Sequence, residues 1–265
     1  MRARRHATSR TVAALILREM STRYGRTPGG YIWALIEPLG AIMILSLGFS
    51  LMLRSPSLGT SFILFYASGY LPFNLYQQVS QVVARAIPFS RPLLAYPSVT
   101  WVDAILARFI LNTLTGLMVT DVLLFAILSF IDTRVVLDVP PMIEAMALAA
   151  LLGLGIGTLN SLLGGLFPTW DVIWSIATRP LFLASGIFYT YEDLPSGVQA
   201  VLYYNPLVHI SGIMRTGLYP MYNPQYVSPI YVISVSLITL ATKNQSSPLI
   251  GNHGTFSRLI GRSPL

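Results

Sequence analysis

The sequence predicts an all-α integral membrane protein with six transmembrane helices, and three observations carry that reading. Of 265 residues, 54% are hydrophobic and only 10% charged, with a mean hydropathy of +0.63. A soluble domain carries about 25% charged residues, because its surface needs them for solvation. Apolar stretches also recur at lengths near the roughly 20 helical residues that a bilayer core requires. Turn chemistry separates them: Ser55-Pro56-Ser57, Asp132-Thr133-Arg134, Val139-Pro140-Pro141 and Phe167-Pro168-Thr169.

In chain order, residues 11–26 place Val12, Ile16, Met20 and Tyr24 at steps of four, on one helical face. Arg10, Arg18 and Ser21 lie away from that face, while Glu19 and Arg23 break the pattern. Residues 1–30 therefore read as a cytoplasmic tail and an amphipathic helix lying in the membrane interface. The transmembrane domain is 31–242, with apolar stretches at 31–53, 62–84, 104–131, 142–167 and 172–189 and a shorter one at 226–241. Residues 85–100 contain Pro88, Pro92 and Pro97, which break any long helix and leave a short, basic, exposed element. Residues 191–226 hold two apolar pieces, 198–204 and 207–218, split by Asn205-Pro206. Neither is long enough to cross, so both read as re-entrant or interfacial helices on the outer side, before helix six. Residues 243–265 read as a polar, disordered tail. The first apolar run begins only after residue 30, so a signal peptide is not expected.

Arginine sets the orientation. Arg2, Arg4, Arg5, Arg10, Arg18, Arg23 and Arg26 precede the first stretch, Arg85 and Arg91 follow the second, and Lys243, Arg258 and Arg262 lie in the tail. The opposite loops carry Arg54, Arg134 and Arg215, with Asp132, Asp138, Glu192 and Asp193 among them. Both termini and the 85–100 loop are thus expected in the cytoplasm.

Composition excludes several functions. The arginine run is followed by apolar sequence, so it is no nucleic-acid stripe. With no cysteine, a disulfide scaffold, a thiolate metal site and a cysteine nucleophile are ruled out. The single lysine, Lys243, has no glycine loop before it, so the chain has no Walker A motif. ATP-driven work would need a second polypeptide. Intramembrane catalysis needs a nucleophile with a base, or paired metal ligands. Only His209 lies near the membrane, and neither a catalytic site nor a metal site is expected.

Four features remain as candidates. Ala145, Ala149, Gly153, Gly157, Ser161 and Gly165 recur every fourth residue, a strip for close helix packing within a bundle or a dimer. Phe62, Phe65, Tyr66, Tyr70, Phe73 and Tyr76 fall within an arc of about 140°, with Asn74, Gln77 and Gln81 on or beside it. Aromatic faces next to amides suit a sugar; packing against neighbouring helices explains them equally well. Phe182, Phe188, Tyr189 and Tyr191 read as an interfacial belt. Charges inside the membrane are expensive and mark function or structural pairing. Glu37 with Arg179, and Asp103 with Arg108, are expected as pairs, and Asp121 stands alone near the midplane.

The string Arg18-Glu19-Met20-Ser21-Thr22-Arg23-Tyr24-Gly25, then Gly30-Tyr31-Ile32-Trp33-Ala34-Leu35-Ile36-Glu37-Pro38, resembles the start of bacterial polysaccharide-export ABC permeases. Tyr204-Asn205-Pro206-Leu207-Val208-His209 and the pair Arg91-Pro92 are similar to the same family, and its capsular branch most of all. The resemblance covers about residues 11–240. It implies a homodimer in the bacterial inner membrane, bound to a separate ATPase that holds ATP and magnesium, with no cofactor in this chain. It further implies a periplasmic co-polymerase or outer-membrane export partner and a lipid-linked acidic polysaccharide as substrate. Arg18, Arg23, Arg26, Arg85, Arg91 and Pro92 would face the ATPase. Trp33, Tyr66, Tyr70, Phe73, Tyr76, Gln77 and Arg179 would line the channel. Tyr204, Asn205, Pro206, His209 and Arg215 would form the outer re-entrant element. The rival readings are an O-antigen or teichoic acid exporter, a small-molecule efflux permease, an ion-coupled secondary transporter using Asp121 or Glu37, and an intramembrane hydrolase. The secondary transporter lacks matching interrupted halves, and the hydrolase lacks a catalytic pair.

Overall fold

The fold is given by a computed structural model, which describes residues 7–23, 30–94, 100–131 and 137–250. Its helices are α1 (Ala7–Arg23), α2 (Gly30–Ser50), α3 (Phe62–Ala84), α4 (Ala86–Leu94) and α5 (Trp101–Phe130). They continue with α6 (Val139–Leu166), α7 (Trp170–Leu183), α8 (Ser196–Leu202), α9 (Pro206–Leu218) and α10 (Pro229–Ile250). A 3-10 turn, Tyr191–Asp193, precedes α8, and no strand occurs among the described residues.

Among the described residues, three helices are long and apolar enough to cross a bilayer: Ile32–Ser50 within α2, and all of α5 and α6. The apolar part of α10, Pro229–Thr242, is shorter. α3 matches them in length at 23 residues but carries Asn74, Gln77, Gln78 and Gln81, and more than half of it is buried. Its start is capped by Ser61, whose hydroxyl accepts from the Leu64 N–H at 3.4 Å. α5 begins with a capping box in which Thr100 and Asp103 satisfy each other's otherwise orphaned groups.

α3 and α6 form the central pair; α2 and α5 flank α3, while α9 and α10 flank α6. The four-residue strip explains the central contact. Ala145 and Ala149 are fully buried. A Cβ on Gly153 would lie 2.9 Å from the Tyr76 carbonyl oxygen, and one on Gly157 2.7 Å from that of Ser80. Backbone therefore meets backbone, as small residues permit in a membrane, where lipid competes for apolar contact. On the other side of α6, a Cβ on Gly155 would lie 2.8 Å from the Ser236 carbonyl oxygen of α10. The strip thus serves packing within the bundle, and only its last member, Gly165, stands in open space.

Four expectations need correction. The face of α1 turned to α5 runs through Val12, Leu15, Ile16 and Glu19, because Glu19 is buried there while Met20 is exposed. The 85–100 element is helical over α4, since Pro88 falls in the first turn, where its missing N–H has no intrahelical acceptor. The fifth apolar stretch, 172–189, is helical only to Leu183, leaving α7 at 14 residues, about 21 Å. α10 runs on to Ile250, past the end of its apolar sequence. Residues 24–26, 95–99 and 251–265, parts of three sequence expectations, lie outside the described residues.

The central contact yields a paired test. Gly157→Ala forces α6 from α3 and should cost about 1–3 kcal/mol, read as a lower unfolding temperature in detergent. Gly165→Ala, with nothing in its way, should leave that temperature unchanged or slightly raised.

Candidate functional site

One end of the bundle is built around the break after α7. Gly186 adopts a φ of 76°, a left-handed conformation that favours glycine. The helix has ended by this point, and its last carbonyls are met locally: the Ser185 hydroxyl donates to that of Phe182 at 2.7 Å and the Tyr189 hydroxyl to that of Leu183 at 3.0 Å. The start and body of α9 supply donors to the carbonyls that follow. Asn205 caps α9 by accepting from the Leu207 N–H at 3.1 Å, and its Nδ2 donates to the Ala184 carbonyl at 2.8 Å. Nearly three turns on, Arg215 is only 1% exposed. Its Nη1 donates to the Tyr189 carbonyl at 2.8 Å, and its Nη2 to those of Gly186 at 2.7 Å and Ile187 at 3.3 Å. Its Nε donates to Ser68 Oγ at 3.4 Å, and the guanidinium lies 4.5 Å from the centre of the Phe65 ring on α3. One buried cation therefore joins α9, α3 and the broken end of α7.

His209 closes the same region. Its Nδ1 accepts from the Ser228 N–H at 3.2 Å. Nε2 must then carry the proton, and it donates to the Tyr203 carbonyl at 2.8 Å. Tyr231, in the first turn of α10, donates to the Tyr204 carbonyl at 2.7 Å. Pro206 takes the first position of α9, where its fixed φ and absent N–H suit a helix start. The Asn-Pro-Leu-Val-His string is thus a helix start tied at both ends.

The junction of α1, α4 and α5 has a second buried arginine. Arg108 of α5 forms an ion pair with Glu19 of α1, Nε to Oε2 at 3.2 Å. Its Nη1 donates to the Val82 carbonyl of α3 at 3.0 Å, and its guanidinium carbon lies 3.9 Å from the centre of the Phe89 ring of α4. The expected pair with Asp103 does not form, because Asp103 is engaged by the Thr100 N–H and hydroxyl at 2.9 and 2.7 Å. The pairing with Glu19 was signalled by its place as the charged residue that broke the amphipathic face of α1.

Between these ends, the two aromatic groups form one cluster. Tyr66 lies 5.3 Å from Phe49 of α2 and 6.4 Å from Phe188, ring centre to ring centre. Phe182 of α7 lies 6.4 Å from Tyr70, 5.3 Å from Phe73 and 5.2 Å from Phe188. Tyr66, Phe73 and Tyr76 are buried within the subunit, Tyr70 and Gln77 are half-buried, and Trp33 and Arg179 are exposed. Glu37 and Arg179 form no ion pair; both are exposed, and Glu37 lies within electrostatic reach of the Tyr70 hydroxyl. Asp121 is exposed on the outward face of α5 beside Leu114, Met118, Val122 and Phe125. Of the residues expected to meet an ATPase, Arg18 and Arg85 are exposed. Arg23 lies in α1, Arg91 and Pro92 lie in α4, and Arg26 is outside the described residues.

Several apolar helices long enough to span a bilayer, packed around α3 and α6, fit the membrane subunit of a transporter. The chain belongs to the ABC-2 type transporter membrane family, whose model matches residues 10–219. Over 230 residues it is 30% identical to the polysialic acid transport protein KpsM of Escherichia coli, covering 87% of this chain and 89% of that one. Over 232 residues it is 27% identical to the capsule polysaccharide export inner-membrane protein CtrC of Neisseria meningitidis serogroup B, covering 87% of each. The corresponding inner-membrane protein BexB of Haemophilus influenzae is 27% identical over 214 residues, 79% of each chain.

Two outcomes follow from the outer side. Arg215→Leu leaves three buried carbonyls unpaired, at about 1–3 kcal/mol each, and should abolish stable accumulation; Arg215→Lys should rescue it only in part, since one ammonium lacks the fork. Burial pushes His209 below its usual value, outweighing the hydrogen bonds with Tyr203 and Tyr226 that raise it. Unfolded, the imidazole titrates near 6.5. Below that pH the unfolded chain takes up a proton that the folded chain refuses, so stability is full above it and declines as pH falls. The unfolding temperature should therefore drop between about pH 7.5 and about pH 5.5, and drop less in His209→Asn.

Proposed function

We propose that the chain is the membrane subunit of an ABC exporter that moves lipid-linked capsular polysaccharide outward across the bacterial inner membrane. The observation that carries this is the likeness, over nearly the whole chain, to inner-membrane proteins named for polysialic acid and capsule transport. A chain without a Walker A motif needs its energy from a partner, here an ATPase that binds ATP and magnesium. α1 and α4 are the surfaces offered to that partner, and the arginine bias sets them, with both termini, in the cytoplasm.

Six passes account for the chain, α2, α3, α5, α6, α7 and α10, with α8 and α9 as a re-entrant pair on the outer side. α7 has no buried residue, which supports a second copy of the chain as its cover and a homodimer as the working unit. The substrate path then runs along the exposed side of the aromatic cluster. Trp33, Tyr70 and Gln77 present rings and an amide to sugar faces and hydroxyls, with Tyr66, Phe73 and Tyr76 as their support. Arg179 and Arg85 attract an acidic polymer. A periplasmic co-polymerase or outer-membrane export protein would receive it.

The test is expression of the tagged chain in a capsule-producing strain lacking its own permease, followed by purification in mild detergent. The expected result is surface polysaccharide together with a stoichiometric ATPase. Tyr70→Ala with Gln77→Ala should lower export roughly tenfold with the ATPase still bound. Transport by the chain alone, without any ATPase, would overturn the reading.

A further inference from the structure

We infer that Arg108 is a positioning residue that makes α1, α4 and the cytoplasmic end of α3 move as one body. Its role in transport rests on the exporter reading, but its geometry does not. Three elements supply its partners: Glu19 from α1 at 3.2 Å, the Val82 carbonyl from α3 at 3.0 Å and the Phe89 ring from α4 at 3.9 Å. The ion-paired side chains are 9% and 6% exposed, so water cannot readily stand in for a lost partner. A guanidinium is a rigid planar fork, and its contacts constrain direction as well as distance. α1 cannot tilt, nor α4 slide, without taking a contact from Arg108.

The surroundings support this. α1 and α4 both rest on α5, and a small cavity between them is lined by Leu15, Glu19, Phe89, Ala104 and Arg108. The cation lies against this gap in the packing. α5 itself is anchored one turn before Arg108 by the Thr100–Asp103 capping box, which gives the fork a fixed base. A buried ion pair is a poor source of stability compared with apolar packing, and its best-attested use is to hold a particular arrangement. Here the arrangement joins the two cytoplasmic helices to α3, the helix that carries Tyr70 and Gln77.

The chain has no cysteine, so two introduced ones can be spin-labelled cleanly. Leu17→Cys on α1 and Gln81→Cys near the end of α3 are both at exposed positions. In the purified exporter, the label-to-label distance should be narrow both with and without a non-hydrolysable ATP analogue. Glu19→Gln and Arg108→Gln should broaden it, and polymer exported per ATP hydrolysed should fall roughly tenfold while ATPase binding and hydrolysis stay within about twofold. Arg108→Lys, which keeps the charge, should fall between and serves if the glutamine variants do not accumulate. A narrow distance or an unchanged export-per-ATP ratio in these variants overturns the inference, as does a parallel loss of ATPase binding, hydrolysis and export. If no ATPase accompanies the unaltered chain, the exporter reading fails, and the distances in the isolated chain still decide whether Arg108 clamps α1 to α3.

Discussion

Carbonyls at and just past the end of a helix must find donors, and the region around α7 and α9 is arranged to meet that demand. α7 ends at Leu183, and the next carbonyls find side chains of α9: Asn205 at Ala184, then Arg215 at Gly186, Ile187 and Tyr189. The α8–α9 pair is therefore what permits α7 to be short. The link between Asp138 N–H and the Gly217 carbonyl, 2.9 Å, ties the end of α9 to the start of α6. In this way the end of α9 is tied to α6, one of the two central helices.

The middle of the molecule works by a different force. α3 and α6 touch through Gly153, Gly157 and the neighbouring backbone of α3, with dispersion rather than hydrogen bonding as the attraction. Polar bonding is concentrated at the two ends, around Arg215 at one and Arg108 at the other. Each of these arginines also contacts α3, at Ser68 and Val82. α3 is therefore the one helix held at both ends by a buried cation and along its length by close packing. It also bears most of the aromatic arc.

What was legible in the sequence follows from how local each cause is. Hydropathy is a property of consecutive residues, so most of the apolar stretches and their order could be read directly, and so could the packing strip on α6, whose period is intrinsic to a helix. The end of α7 could not be read, because it depends on Arg215, far along the chain, and on a positive φ at Gly186. The partner of Arg108 was hidden for the same reason, although the misplaced Glu19 was a usable clue. The aromatic arc of α3 was plain as an arc, but periodicity does not say which neighbours an arc meets. Phe49 and Phe182 answer that only in three dimensions.

Arg215 spends most of its donors on main-chain oxygens, and Arg108 divides its own between the Glu19 carboxylate and the Val82 carbonyl. A carbonyl is present whatever side chain stands above it, so Val82, Ile187 and Tyr189 can be exchanged for other residues without removing an acceptor. Gly186 is the exception, since its φ of 76° restricts what may replace it. Such a scaffold is permissive to sequence drift around its fasteners and intolerant of change in the fasteners themselves. Export machinery that meets chemically varied cargo could remodel most of its surface under that rule while retaining one skeleton.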